Sequence, residues 1–273
     1  MLRSLSSGVS GMQQFQGQMD VIGNNIANVN TVGFKSGRVN FADSFSQALQ
    51  TTGAGGATQI GTGVITASIT NQYIQGAITN TGNQGDMAIS GEGFFIVSDP
   101  VTGAQYASRA GDFLWKDGYL ATSQGMRVQG YNDAGLSTLG DILIDNTGAP
   151  NGSTAAVKSF SVDADGKINV LLADGNKFVR GQVLLQKFTN QQALVKEGNN
   201  LYSGLTAAGA LAAPAPPGTA GTGNIIDRSL EMSNVDLAGQ FSDLITTQRA
   251  FQANARIITT SDELLAELVN LKR

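Results

Sequence analysis

Residues 237–271 read LAGQFSDLITTQRAFQANARIITTSDELLAELVNL, and their spacing decides the architecture. Positions 237, 241, 244, 248, 251, 255, 258, 262, 265 and 269 carry Leu, Phe, Leu, Gln, Phe, Ala, Ile, Asp, Leu and Val. Eight of these ten are apolar in unbroken 3-4 stepping, which is a heptad repeat. Ile245, Ile257, Leu264, Leu268 and Leu271 widen the stripe on its flank. The phase passes through Thr259-Thr260-Ser261 unchanged, so the spacing predicts one helix of about 35 residues, roughly 50 Å long. Just ahead of it, Ser233 and Asp236 have the spacing of a capping box, with Met232 and Leu237 placed as a hydrophobic staple. A globular domain seldom needs so long a rod.

The opposite end has the same period. Leu2, Leu5, Val9, Met12, Met19 and Ile26 step by threes and fours, and Phe15, Ile22 and Val29 form a second row. Between Ser4 and Phe34 the only charged residue is Asp20; Gln, Asn, Ser and Gly make up the rest of the polar face. A helix packed only on its own domain normally turns Lys and Glu outward. Gly8, Gly11, Gly17 and Gly23 each cost about 1 kcal/mol relative to Ala, so this helix is expected to be marginal alone. It is expected to order when its nearly uncharged circumference meets neighbouring chains, the glycines permitting close approach.

Composition agrees. In 273 residues, 21 acidic against 17 basic side chains leave a net charge of −4, which argues against a general nucleic-acid surface. Charged residues are only 14%, well below the usual quarter, as for a surface largely covered by other protein. There is no cysteine and no histidine, which removes thiol nucleophiles, disulfides, Cys/His zinc sites and Ser-His-Asp triads together. No stretch approaches the roughly 20 apolar residues of a membrane span, so no membrane insertion is expected. The opening Met-Leu-Arg-Ser-Leu-Ser-Ser-Gly8 lacks the apolar core of a secretory signal.

Between the helices the pattern is β. Phe94–Val97 reads as a buried strand, and Phe113-Leu114-Trp115 and Tyr119–Ala121 flank Lys116-Asp117-Gly118, a turn whose Asp-Gly pair tolerates positive φ. Phe160–Val162 and Ile168–Val170 flank Asp163-Ala-Asp-Gly166, while Phe178-Val179 and Val183–Leu185 flank Arg180-Gly181. Turns every 8 to 12 residues indicate an antiparallel sandwich or open barrel. The expected fold is therefore α+β, the N- and C-terminal helices paired as a coiled-coil rod with a central antiparallel β-rich domain. Its expected divisions are 1–34 (helix, joined with 231–273), 35–70 (extended connector), 71–206 (β-rich domain) and 207–230 (Gly/Pro/Ala-rich return linker).

The short motifs have plain readings. Asp163-Ala-Asp165-Gly166 looks like part of a calcium loop, but position 174 is Asp where that loop needs a bidentate Glu, so it reads as a hairpin turn. Gly61-Thr-Gly63 and Gly91-Glu-Gly93 lack the third glycine of a dinucleotide site and read as turns. Lys35 and Arg38 make no anion patch by themselves; salt bridges account for them. Asp86, Glu92, Asp99, Asp112 and Asp117 are the catalytic candidates, and most occupy turns, where Asp serves the backbone. No catalytic residue, cofactor or metal is expected.

Asp20-Val-Ile-Gly-Asn-Asn-Ile-Ala-Asn-Val-Asn-Thr-Val-Gly-Phe-Lys35 resembles the signature of bacterial flagellar axial proteins, the rod and hook family; Asn24, Asn25, Ala27, Asn28, Gly33 and Phe34 carry the likeness. The other end is similar: Leu230-Glu-Met-Ser-Asn-Val-Asp-Leu237 contributes Ser233 and Asn234, and Thr247-Gln-Arg-Ala-Phe-Gln-Ala-Asn254 contributes Gln248 and Arg249. Ile89-Ser-Gly-Glu-Gly-Phe-Phe95, Ser108-Arg-Ala-Gly-Asp-Phe113 and Asn199-Asn-Leu-Tyr202 match the family's β-domain landmarks in order. The resemblance implies export through the flagellar type III apparatus and polymerisation into a hollow tube with the helices lining the inner wall. It implies as partners further copies, rod proteins, and hook cap and hook-filament junction proteins, with a location in the flagellum outside the cell. It also makes Leu5, Val9, Met12, Phe15, Met19, Ile22, Ile26, Leu237, Phe241, Leu244, Phe251, Ile258, Leu265 and Val269 the expected self-assembly residues.

Within the family the first twelve and last seven residues look most like a short hook protein, a flexible tube passing motor torque to the filament. The distal rod subunit, a stiff shaft, shares both termini and a similar length. It usually carries an extra segment after the N-terminal helix region, and residues 47–63 read as a Gly/Thr-rich link without one. For a hook, Gly-rich joints at 53–63 and 207–223 are expected to let the β bodies shift as the tube bends. Two other classes stay open: a trimeric adhesin or tail-like fibre, which electron microscopy separates from a tube, and an enzyme, which predicts activity in monomers.

Overall fold

A computed structural model describes residues 2–52, 56–209 and 213–271 of the chain. Two helices, α1 (Leu2–Ala27) and α2 (Leu237–Leu271), bracket twenty strands. The 35-residue span of α2 starts and stops where the heptads do. Its cap departs from the expected box. Asp236 itself stands before the first turn and accepts from the Ala238 amide at 3.1 Å, so the capping residue is Asp236 and not Ser233.

The chain separates into two compact units. One combines residues 1–29, 36–72 and 235–273; the other combines 30–35 with 73–234. In the first, α1 packs against α2 and against a two-stranded ribbon of Gly37–Asp43 and Val64–Asn71. The ladder continues outward through Ser44–Gly63 (2.8 Å) and Thr62–Phe45 (3.0 Å) into the pair Ser46–Thr52 and Gly56–Gly61. Within the expected connector 35–70, residues 37–52 and 56–70 thus pair as an antiparallel ribbon. Its Ser, Thr, Gly and Gln composition hid it, because alternation of apolar and polar residues is weak there. Residues 53–55, in the first expected joint, lie outside the described residues, as do 210–212 in the second.

The second unit is built on a twelve-stranded antiparallel sheet. Its strands lie in the order Val157–Val162, Lys167–Leu172, Lys177–Val183, Arg127–Tyr131, Phe94–Ser98, Gln105–Ser108, Leu201–Ser203, Val195–Gly198. One face buries Ile89, Phe95, Val97, Leu120, Val128, Ile168, Val170 and Leu185 among others. A smaller cluster gathers Phe94, Ile96, Phe188 and Tyr202. The hairpin turn at Asp117-Gly118 has both residues at positive φ (52° and 84°), as its sequence requires. Asp163–Gly166 closes a hairpin too, Gly166 donating to the Asp163 carbonyl at 2.8 Å.

Two expectations fail here for local reasons. Arg180-Gly181 is not a turn: Lys177–Val183 is one strand, and Arg180 is the extra residue of a β-bulge, since Ile168 faces Gly181 while Asn169 faces Val179. A Cβ at Gly181 would strike the Tyr131 carbonyl, which is why glycine stands there. The segment read as a free return linker is also tied down. Ala208 is fully buried, Ala215 exchanges two 2.9 Å hydrogen bonds with Leu185, and Asn224–Asp227 is a strand paired with Met87–Ser90.

Candidate assembly surface

The seam between α1 and α2 follows one predicted row and departs from the other. Leu244, Phe251, Ile258 and Leu265 are half-buried on it, in step with Thr247, Asn254 and Ser261. The expected companion row was Phe241, Gln248, Ala255, Asp262 and Val269; of these only Ala255 is even half-buried, and the rest are exposed. Glycine explains the choice. Gly8 lies against Ile258 and Asn254, and a Cβ on Gly11 would come 2.5 Å from the Asn254 amide nitrogen. Backbones this close admit small side chains between the larger ones, so Thr247 and Ser261 become the buried residues of α2. Thr247 satisfies its hydroxyl by donating to the Asp243 carbonyl at 2.6 Å.

What the seam leaves outside is a second apolar stripe. Phe241 (49% exposed), Ile245 (58%), Leu264 (52%), Leu268 (49%) and Val269 (65%) are exposed, with Leu237 at 39%, while Ile257 (44%) keeps one edge against Gly8. On α1, Ile22 is buried and Leu5, Val9, Met12, Phe15, Met19 and Ile26 are half-buried. Gly17 and Gly23 meet nothing within 4 Å. The ribbon adds Phe41, Phe45, Ile60, Ile65 and Ile69, all exposed, although Phe41 keeps an edge contact with Phe15 at 6.0 Å. This is far more exposed apolar surface than a lone soluble chain carries.

The asparagines of the signature have separate tasks. Asn25 is buried: its side chain accepts from the Gly37 amide (2.9 Å), donates to the Gly37 carbonyl (2.8 Å) and donates to Gln240 (2.9 Å). One side chain thereby joins α1, the ribbon and α2. Asn28 donates to the Asn24 carbonyl and side chain as α1 ends. Ala27, Asn24, Gln248 and Arg249 are exposed.

The remaining signature residues belong to the β unit. Gly33, at φ 67°, donates to the Glu231 carbonyl at 2.7 Å, and a Cβ there would strike the Arg109–Ala110 backbone. Phe34 is buried, and its carbonyl accepts from Asn234. Lys35 and Arg109 each meet the fully buried Glu231 carboxylate at 2.6 Å, and Gly76 donates to it at 2.9 Å. Burial holds the Lys35 ammonium below its usual range, against the pull of Glu231. Sequence reasoning missed this cluster, because its members are separated by 122 and 196 residues. Ser233 is half-buried nearby in the chain.

Asp112 lies near Asp86, and burial raises its carboxyl; Asp99, Asp133 and Asp174 bind their own turns. Among the described residues no group of three His, Cys, Asp or Glu could hold a metal, and no helix is long and apolar enough to cross a membrane.

Residues 5–35 match the family described as "Flagella basal body rod protein", 88–170 the "Flagellar hook protein FlgE/F/G D1 domain", and 227–271 the "Flagellar basal body rod FlgEFG protein C-terminal". The flagellar basal-body rod protein FlgG of Bacillus subtilis is 43% identical over 100% of both chains. The chain belongs to the flagellar rod and hook axial family. FlgG of Agrobacterium fabrum is 33% identical over 96% of this chain and 97% of its own, and the hook protein FlgE of Borreliella burgdorferi is 29% identical over 100% of each. Axial proteins of this family are structural parts of the bacterial flagellum. The two terminal matches overlap α1 and α2, and the third lies within the β unit.

Proposed function

We propose that this chain is a self-assembling subunit of the distal flagellar rod, a stiff hollow shaft. The carrying observation is the ribbon from Gly37–Asp43 through Ser46–Thr52 and back, which occupies the place where a distal rod subunit carries an extra segment. Lengths support the same reading. The two rod relatives align over 281 and 278 positions, whereas the hook relative needs 444. A two-stranded ribbon is marginal alone in water, and this one exposes five large apolar residues. Lodged between neighbouring copies, it ties them together and resists bending.

The self-assembly residues act in two sets. Leu244, Phe251, Ile258 and Leu265, with Leu5, Val9, Met12, Phe15, Met19, Ile22 and Ile26, hold the helix pair; Leu237, Phe241 and Val269, with Ile245, Leu264 and Leu268, bind other copies. Each large side chain taken from water contributes up to about 1.5–3 kcal/mol. Adjacent rod and hook proteins, the cap and junction proteins and the type III export apparatus are the proposed partners.

A hook subunit is the second reading, favoured by its terminal motifs. Imaging of the polymer tests the choice: a straight stiff tube supports the rod, a curved deformable tube the hook. Deleting residues 47–61 should turn a straight tube into a curved one. Straight tubes from the deletion would remove the ribbon as the source of stiffness.

A further inference from the structure

The chain is acidic overall, with a net charge of −4, yet two buried cations, Lys35 and Arg109, line one cavity in its β unit. It encloses about 260 Å³ and is lined by Lys35, Tyr73, Gln75, Phe94, Arg109 and Gln191, with the Gly91–Gly93 turn at one side. Lys35 and Arg109 are almost fully buried, and the carboxylate they share is Glu231. At the rim, Glu92 is already paired with Lys187 at 2.6 Å. Lys196 stands close by, donating to the Lys35 carbonyl at 2.8 Å and lying 4.6 Å over the Phe34 ring, with no carboxylate partner among the described residues. Burial lowers the pKa of Lys196 as it does that of Lys35.

Donor bookkeeping points the same way. Lys35 commits two of its three ammonium protons, to Glu231 and to the Ile74 carbonyl (2.8 Å). Arg109 commits four of its five N–H groups, to Glu231 and the carbonyls of Gly93, Gly91 and Ile89. Gly91 and Gly93, at φ 114° and 134°, give that turn a conformation L-residues rarely adopt, so the guanidinium is fixed. Each cation keeps one uncommitted N–H, and both side chains line the same cavity. The space equals that of ~8 waters in the liquid, room for one small polyatomic ion.

We propose that this cavity binds a small oxyanion, a carboxylate or phosphate, between Lys35, Arg109 and Gln191. Such an ion supplies the negative charge this cluster lacks and two acceptors for the leftover N–H groups. Its source is either free anion or an acidic side chain of a second copy.

The test is thermal unfolding of the full chain, dilute enough to stay monomeric, in sodium phosphate exchanged against sodium chloride at constant ionic strength. Trp115, the chain's single tryptophan, packs 6.1 Å from Phe160 and reports unfolding of the β unit by fluorescence. The expected result is a saturable rise of the midpoint, roughly 3–6 °C at tenfold excess over the dissociation constant. Lys35→Met abolishes the rise. Gln191→Glu, which places a carboxylate at the cavity wall, raises the phosphate-free midpoint and removes the phosphate dependence, and it is readable even if Lys35→Met fails to fold. A rise that never saturates and is equal in wild type and Gln191→Glu is general salting-out and overturns the proposal, as does no rise at all. Given the saturable rise, phosphate that slows polymer growth assigns the natural carboxylate to a second copy; unchanged growth assigns it to a free ion.

Discussion

The β unit and the helix–ribbon unit spend their apolar residues in opposite ways. In the first, Phe95, Val97, Leu120, Val128, Ile168, Val183 and Leu185 are wholly shielded by their own chain. In the second, Ile22 is buried, whereas Phe41, Phe45, Ile65, Phe241, Ile245, Leu264 and Leu268 stay in water. Burial of this kind gives one unit a core of its own, though Ile74, Val101, Leu114 and Leu139 stay exposed on it. The other has surfaces left over, and part of them, on α2, lies within a segment matched by the family. The contrast separates what folds from what assembles.

The sharpest way to break the comparison is to spoil the β unit from inside. Glu231→Ala strands Lys35 and Arg109 as buried cations without a counter-charge, and should cost about 3–5 kcal/mol. Urea unfolding followed by Trp115 fluorescence measures it; a loss under 1 kcal/mol would mean that the cluster is not what closes the β unit. Phe251→Asp comes next. Because Phe251 lies half-buried on the α1–α2 seam, it should weaken the helix pair itself by about 2–3 kcal/mol, and far-UV circular dichroism should register lost helix. Phe241→Asp, on the outer stripe, should instead leave the monomer's spectrum unchanged and stop polymer formation in sedimentation. Equal spectra for the two variants would erase the distinction between seam and stripe.

Asn25→Ala removes both hydrogen bonds to Gly37 and the one to Gln240, an expected loss of about 2 kcal/mol, read as faster amide exchange at Gly37. Gly17→Ala sharpens the comparison more gently. With nothing near Gly17 in the chain, Ala should stabilise α1 by about 1 kcal/mol while slowing assembly if a neighbour needs that space. Unchanged assembly would leave Gly17 without a role as a contact.

The smallest effect is on pH. Amide and hydroxyl bonds from Ser137, and the Thr138 amide, hold Asp133 down at about 2. A carboxyl lowered in the folded state contributes stability above its unfolded value of 3.8, and that contribution disappears as pH falls from 3.8 through 2. The Ser137 amide should therefore lose exchange protection across this window in wild type and show no such step in Asp133→Asn.

Periodicity alone located both helices, α1 inside the expected 1–34 and α2 inside the expected 231–273, because heptads are written in adjacent sequence. It also found the Asp117-Gly118 and Asp163–Gly166 hairpins, where turn chemistry is local. Which row of α2 meets α1 was not legible, since Gly8 and Gly11 decide which face approaches, and that depends on a partner more than 240 positions away. The ribbon was illegible for a different reason: polar strands such as Ser46–Thr52 show no alternation to read. The Lys35–Glu231–Arg109 cluster was invisible because distant charges reveal their pairing only in space.

Hydrogen exchange along Leu237–Leu271, before and after polymer growth, tests the central idea most directly. In dilute chain these amides should exchange orders of magnitude faster than those of Phe94–Ser98, then become protected in the polymer while the β strand barely changes. Protection of α2 equal to that of Phe94–Ser98 in dilute chain, unchanged on assembly, would contradict it.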